Sequence, residues 1–196
     1  ANLFGWQYSF IILAFSLLGG LLLLYRLPES SNLELTRPAP KLLLKTLRKP
    51  SFLSLYLTVF FMFMAFAAVM NYLPFRLTEL SDQADELRIG LMYSGYTMGI
   101  LTSLSAPKIG RWLSGEARTI QLGMLTFAAT LIGLATGQIG LLFANMFLFC
   151  GAMFLVHSTA SGLINRLAGN DNRGLTNGLY VAFYYSGGAI GSFAPG

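Results

Sequence analysis

From Phe52 to Leu73 the chain runs 22 residues without a charged side chain, and from Ile139 to Ile164 it runs 26 with His157 its one group that titrates near neutrality. A helix crosses the hydrocarbon core of a bilayer with about 20 mostly apolar residues. A soluble core of this size has no use for such runs, since helices of about 10 to 14 residues with polar outer faces suffice. Further apolar blocks run from about Trp6 to Leu24, Ile89 to Leu104, Ile120 to Thr136 and Leu175 to the end, those at Ile89 and Ile120 being short or interrupted by Gly and Ser. Composition agrees: 11% of the 196 residues are charged, against roughly 25% in a soluble domain. The expected fold class is all-α, a polytopic transmembrane helix bundle of six spans. The blocks are continuously apolar rather than alternating, which argues against a strand-built barrel. The first is not a signal peptide, because it lacks a basic leading region and Leu27-Pro-Glu-Ser follows it without a small-residue cleavage site.

Charge sorts the loops. Arg26, Arg37, Lys41, Lys45, Arg48 and Lys49 follow the first span, Lys108, Arg111 and Arg118 follow the third, and Arg166 and Arg173 follow the fifth, so eleven of the 13 basic residues occupy alternate loops. Arg76 and Arg88 instead share a loop with Glu79, Asp82, Asp85 and Glu86. The positive-inside rule makes the basic loops cytoplasmic. The net charge of +5 thus reflects topology in a lipid bilayer and not a nucleic-acid surface, which would gather its bases on one soluble face. With the first basic loop inside, the chain enters its first span from outside although it begins Ala1-Asn-Leu. An odd number of spans is therefore expected upstream of residue 1 if the intact N-terminus is cytoplasmic, and the chain is expected to be a segment of a larger protein.

In order come a span ending in Leu27-Pro-Glu-Ser, a basic loop, a span opening after Lys49-Pro-Ser-Phe, then Arg88-Ile-Gly, Tyr96-Thr-Met-Gly99 and Ala106-Pro-Lys-Ile-Gly-Arg111. This order resembles the second half of a major facilitator superfamily transporter, particularly of the bacterial drug and metabolite efflux branch, and Asn165 to Gly174 followed by Asn177-Gly-Leu-Tyr is similar to that branch's loop between the tenth and eleventh spans. The resemblance implies a sixth-type span over 1–26, a cytoplasmic inter-half linker over 27–50 and a C-terminal half over 51–196 whose last span is cut short. It also implies a missing N-terminal half, a bacterial inner-membrane location, a small-molecule substrate and proton-coupled efflux, with uptake of a sugar or metabolite as the alternative. The family's loop signature, G-x-x-x-D-R-x-G-R, is matched here only at Gly110 and Arg118, because Ser114, Gly115 and Ala117 stand at its other positions. A charge-linked gate at this loop is not expected; Arg118 serves equally well as a cytoplasmic anchor.

Gly95, Gly99 and Ser103 form one ladder of small residues four apart, and Gly187 and Gly191 another, of the kind that lets membrane helices approach closely. On a wheel of about 100° per residue, Asn177, Tyr180, Tyr184, Gly187, Gly188 and Gly191 share the side of the last span that faces protein. Leu179, Ala182, Phe183, Ser186, Ile190 and Phe193 fall on the side suited to lipid. Tyr184 either bonds a neighbouring helix or lines a wet path, while Tyr180, nearer the loop, is expected as an interfacial anchor. No carboxylate, Lys or Arg lies well inside a span, which leaves His157 to titrate in the usual range. It is a proton relay or a neutral imidazole tied to a neighbouring helix. With Asn71, Tyr96 and Asn145 it completes the candidates for a substrate cavity, each of which serves inter-helix packing as readily.

Other chemistries have little support. Thr159-Ala-Ser-Gly162 is close to the pattern of intramembrane serine proteases, but the lone His157 sits four residues before Ser161 on the same helix, where the protease arrangement brings histidine from another span. One Cys and one His do not supply a metal site of the usual kind, and nothing calls for a cofactor. A membrane scaffold or receptor that binds without flux stays open. The expectation is a non-enzymatic secondary transporter.

Overall fold

The computed structural model describes residues 7–27, 40–81, 85–169 and 172–193. Residues 28–39 of the expected inter-half linker, the acidic Asp82, Asn170-Asp171 of the fifth-to-sixth-span loop and the final Pro195-Gly196 lie outside the described residues. The chain divides into two units, Ala1–Arg37 and Pro38–Gly196. The first contains α1 (Gln7–Leu24), 18 residues without charge and with every side chain exposed within the unit. A helix apolar on every face has only lipid or other membrane helices to pack on.

The second unit holds α2 (Pro40–Leu47), α3 (Pro50–Leu80), α4 (Glu86–Met92), a 3₁₀ turn at Tyr93–Gly95, α5 (Tyr96–Trp112), α6 (Glu116–Gly133), α7 (Ile139–Ala168) and α8 (Arg173–Phe193). There is no strand among the described residues. The six expected spans correspond to α1, α3, the α4–α5 run, α6, α7 and α8. By length and composition α1, α3 and α7 are long and apolar enough to cross a membrane. The others are less apolar or shorter because α6 opens on the polar Glu116-Ala-Arg-Thr, α8 on Arg173, and the 3₁₀ turn divides the third span.

Two helices overrun their expected ends. The apolar run of the second span ends at Leu73, before Pro74, yet α3 continues to Leu80. Proline has no N–H to give the carbonyl four residues earlier, which here belongs to Met70, and the Tyr93 hydroxyl donates to that oxygen at 3.1 Å. A side chain from the next span thus replaces the lost backbone bond. Tyr93→Phe should cost about 1 kcal/mol, read as a lower midpoint of thermal unfolding in detergent, and unchanged unfolding would refute the role. The third span likewise runs on through Pro107 to Trp112, where Ser114 at φ 60° and Gly115 at φ 141° turn the chain into α6. Gly115 N–H donates to the Gly110 carbonyl at 2.9 Å and closes this turn.

α7 is the central helix, touching α3, α5, α6 and α8. Its fully buried Leu142, Met146, Phe149, Cys150, Val156 and Ile164 form the middle of the core. Small residues of the 3₁₀ turn and α5 seat it there: a Cβ on Gly95 would lie 3.1 Å from the Met146 carbonyl, one on Gly99 would enter the Phe154 ring, and Ser103 accepts a hydrogen bond from Ser158 at 2.9 Å. With Cys150 Sγ 3.4 Å from the same Gly95 position, Cys150, Phe154 and Ser158 advance four residues at a time along α7 as Gly95, Gly99 and Ser103 do opposite them. Against α3, α8 comes closer still, since a Cβ on Gly187 would overlap the Phe60 carbonyl and one on Gly191 the Met64 carbonyl.

Cross-helix contacts sort the helix ends. Tyr56 near the start of α3 donates to the Thr176 carbonyl at the start of α8, 3.1 Å away, and Arg166 at the end of α7 pairs with Glu116 at the start of α6. Tyr93–Met70 and Asn145–Thr130 join the opposite ends. Lys41, Lys45, Arg48, Lys49, Lys108, Arg111, Arg118, Arg166 and Arg173 are therefore gathered at one end, with Arg76 and Arg88 at the other.

Candidate functional site

α7 carries His157, Ser161 and Asn165 at successive turns, so they form one polar stripe. α8 faces it with Asn177, Tyr180 and Tyr184, and a cavity of about 270 Å³ lies between the two helices, its rim completed by Val181 and Tyr185. His157 stands nine residues before Arg166, so roughly 13 Å along the helix from the basic end.

The stripe is tied together from one side. Asn177 donates to the Asn165 side-chain oxygen at 2.7 Å, and Asn165 donates to the Ser161 carbonyl at 3.1 Å. One turn deeper the Tyr180 hydroxyl is 2.9 Å from His157 Nδ1 and 3.2 Å from the His157 carbonyl oxygen. Tyr184 makes no hydrogen bond within the described residues. Its ring stacks on Phe63 of α3 at 3.8 Å and lies 4.8 Å from the imidazole. Contact with Phe63 is possible because Gly188 leaves room for the Phe63 ring beside the helix. From there ring contacts continue through Phe66 to Tyr96 and Phe154.

Tyr180 lies on the protein-facing side where the wheel puts it, but it is not the interfacial anchor expected from its nearness to the loop: it is 4% exposed and bonded to His157. Phe183 and Leu179 are not turned wholly to lipid: α3 reaches far enough round α8 to stack Tyr56 on Phe183 at 5.3 Å, and Leu179, partly buried, packs against the core. The other candidates are not brought together. Asn145 donates to the Thr130 carbonyl at 2.6 Å and fills the space over Gly133, which assigns it to the α6–α7 joint. Asn71 is exposed on α3, and Tyr96 packs edge-on against Phe66 and Phe154, neither lining the His157 cavity.

A larger cavity, about 500 Å³, lies at the basic end between α5, α6 and α7, with Gly110, Arg111, Glu116 and Arg166 in its wall. Arg118 is exposed nearby. No charge link was expected at this loop, yet Glu116, two residues past the signature's acidic position, pairs with Arg166 across the cavity mouth. Complementary charges at the two loop ends were the only sequence signal for it, and 50 positions separate them. The backbone amide at the start of α6, and then Arg166, hold the Glu116 carboxyl below its usual range against an opposing effect of burial. A lowered pKa means that this stabilisation is complete at neutral pH and is lost as pH falls below the ordinary carboxylate range. Both partners are half exposed, so Glu116→Gln should cost under about 1 kcal/mol at pH 7 and less at pH 3. Thermal unfolding at the two pH values checks this; an equal difference at both would refute it.

The family model described as Major Facilitator Superfamily matches residues 1–192. Among curated proteins the chain is 28% identical over 197 residues to an "Uncharacterized transporter" of Buchnera aphidicola subsp. Schizaphis graminum (strain Sg), covering 97% of this chain and 47% of the relative. It is 27% identical over 198 residues to another protein so named, from Buchnera aphidicola subsp. Baizongia pistaciae (strain Bp), covering 97% and 48%. The chain spans about half the length of the curated relatives it matches. No solved structure matches. The apolar helices, the segregated charge and a family match over nearly every residue agree: the chain is a multi-pass membrane chain and belongs to the major facilitator superfamily.

Proposed function

We propose that this chain supplies one wall of the substrate path in a secondary transporter of small organic molecules, that an N-terminal half of the same protein supplies the other, and that the two rock about a site near the bilayer midplane. The observation that carries this is the α7–α8 cavity, where an imidazole, two tyrosine hydroxyls and two amides converge within helices otherwise built of apolar residues. Polar groups at membrane depth are costly unless they bind one another, water or cargo. In this reading Gly95, Gly99, Gly187 and Gly191 hold the wall rigid, and Tyr96 with Asn71 extends it.

The coupling ion we propose is the proton, with His157 as its carrier in this half, and the direction is efflux from a bacterial cytoplasm across the inner membrane. Efflux rests on the sequence resemblance alone. The test is reconstitution of the intact protein in liposomes with an imposed pH gradient: gradient-dependent flux of some member of a broad panel is expected, and no flux across that panel sinks the reading. Saturable binding without flux would favour a receptor instead.

A further inference from the structure

The Tyr180 hydroxyl has two neighbours on a single residue and one proton to share between them. If His157 carried its proton on Nε2, Nδ1 would take the tyrosine's proton and the 3.2 Å approach of the phenolic and carbonyl oxygens would have no hydrogen in it. If the proton is on Nδ1, that nitrogen donates to the phenolic oxygen, and the hydroxyl donates onward to the His157 carbonyl, whose second lone pair still serves the helix. Of the two neutral tautomers only this one satisfies both contacts. It leaves Nε2 without a hydrogen, and Nε2 is neither bonded nor buried unsatisfied among the described residues.

We infer that Tyr180 is a positioning residue that clamps His157 as the Nδ1–H tautomer, so that Nε2 is offered to the α7–α8 cavity as an acceptor and takes an N–H or O–H donor from the cargo. The clamp stands on geometry alone; its consequence for cargo rests on the proposed function. The ligand class is a neutral or singly cationic molecule with such a donor. The titratable groups around the imidazole are Tyr180 and Tyr184 of α8, at ring-centroid distances of 5.6 and 4.8 Å, and Tyr185 on the cavity rim. α3 reaches the site through Phe63, which does not titrate, and α7 adds the uncharged Ser161 and Asn165. No carboxylate, Lys or Arg lines the cavity. A cargo's cationic N–H therefore meets Nε2 and aromatic faces but no countercharge, and protonation of Nε2 would turn the acceptor into a donor and expel it.

Nitrogen NMR of the intact transporter, labelled in its histidine rings and assigned by difference from His157→Gln, reads the tautomer directly. The expected spectrum above the titration has a bare Nε2 and a protonated Nδ1. In Tyr180→Phe, with folding verified by thermal unfolding, the population should shift toward Nε2–H. A protonated Nε2 in the parent protein, or an unchanged tautomer in the variant, overturns the clamp. The ligand half is tested with triethylammonium, which has one N–H, against tetraethylammonium, which has none. The first should move the Nε2 signal and the second should not, and equal shifts or no shift from either overturn it. Neither readout depends on flux, so this inference and the transport proposal fail separately.

Discussion

Gly191→Val should disrupt the bundle more than any other single substitution on α8. A side chain there meets the Met64 backbone carbonyl rather than a flexible side chain, so no rotamer relieves the overlap and the helices must separate. Overpacking of this kind costs about 3 kcal/mol or more, and it would remove the α3–α8 contact by which Phe63 supports Tyr184. The same reasoning applies to Gly187 over the Phe60 carbonyl. Gly178, on the same helix with open space beside it, is the control: Gly178→Ala should raise stability by up to about 1 kcal/mol through helix propensity. Thermal unfolding in detergent and the yield of monodisperse protein measure both. Equal tolerance of Gly191→Val and Gly178→Ala would show that α3 and α8 do not meet at this register.

Under the proposed function, His157→Ala should reduce gradient-driven flux about tenfold or more, equivalent to at least about 1.4 kcal/mol, with the protein still folded. The variant loses the proposed proton carrier and also leaves the Tyr180 hydroxyl short of a partner inside the membrane. Asn145→Ala provides the contrast. It removes the bond to the Thr130 carbonyl outside the cavity, so it should lower the unfolding midpoint and leave apparent substrate affinity unaltered. Flux unaffected by His157→Ala, or affinity altered by Asn145→Ala, would move the site away from the α7–α8 cavity.

The helices and the gathering of the basic loops at one end were legible because they depend on local quantities, namely the length of an apolar run and the sign of the loop that follows it. The inward side of α8 was legible for the same reason, its glycines repeating at helical spacing. Pairings between helices were not. Tyr180 and His157 are 23 positions apart, and nothing in either segment states that α7 and α8 cross at the height that aligns them. Phe183 was misplaced because a wheel describes one helix, whereas its environment depends on how far α3 wraps round α8. Pro74 misled in a different way: proline ends a helix only when the orphaned carbonyl has no other donor, and the donor, Tyr93, belongs to the next span. The Glu116 pair was not legible, because the signature's acidic position falls on Ser114 while the acid that reaches Arg166 stands two residues later.

The seating of Gly187 and Gly191 on the Phe60 and Met64 carbonyls also has a mechanical consequence. Sliding α8 along α3 by a single residue would bring Gly188 and Ser192, or Ser186 and Ile190, over those carbonyls, and in either case at least one side chain would jam against the backbone. The two helices are geared in one register and travel as a single strut, so any rearrangement that opens or shuts the path must bend elsewhere. The 3₁₀ turn at Tyr93–Gly95 and the left-handed corner at Ser114–Gly115 are where this unit has slack to give.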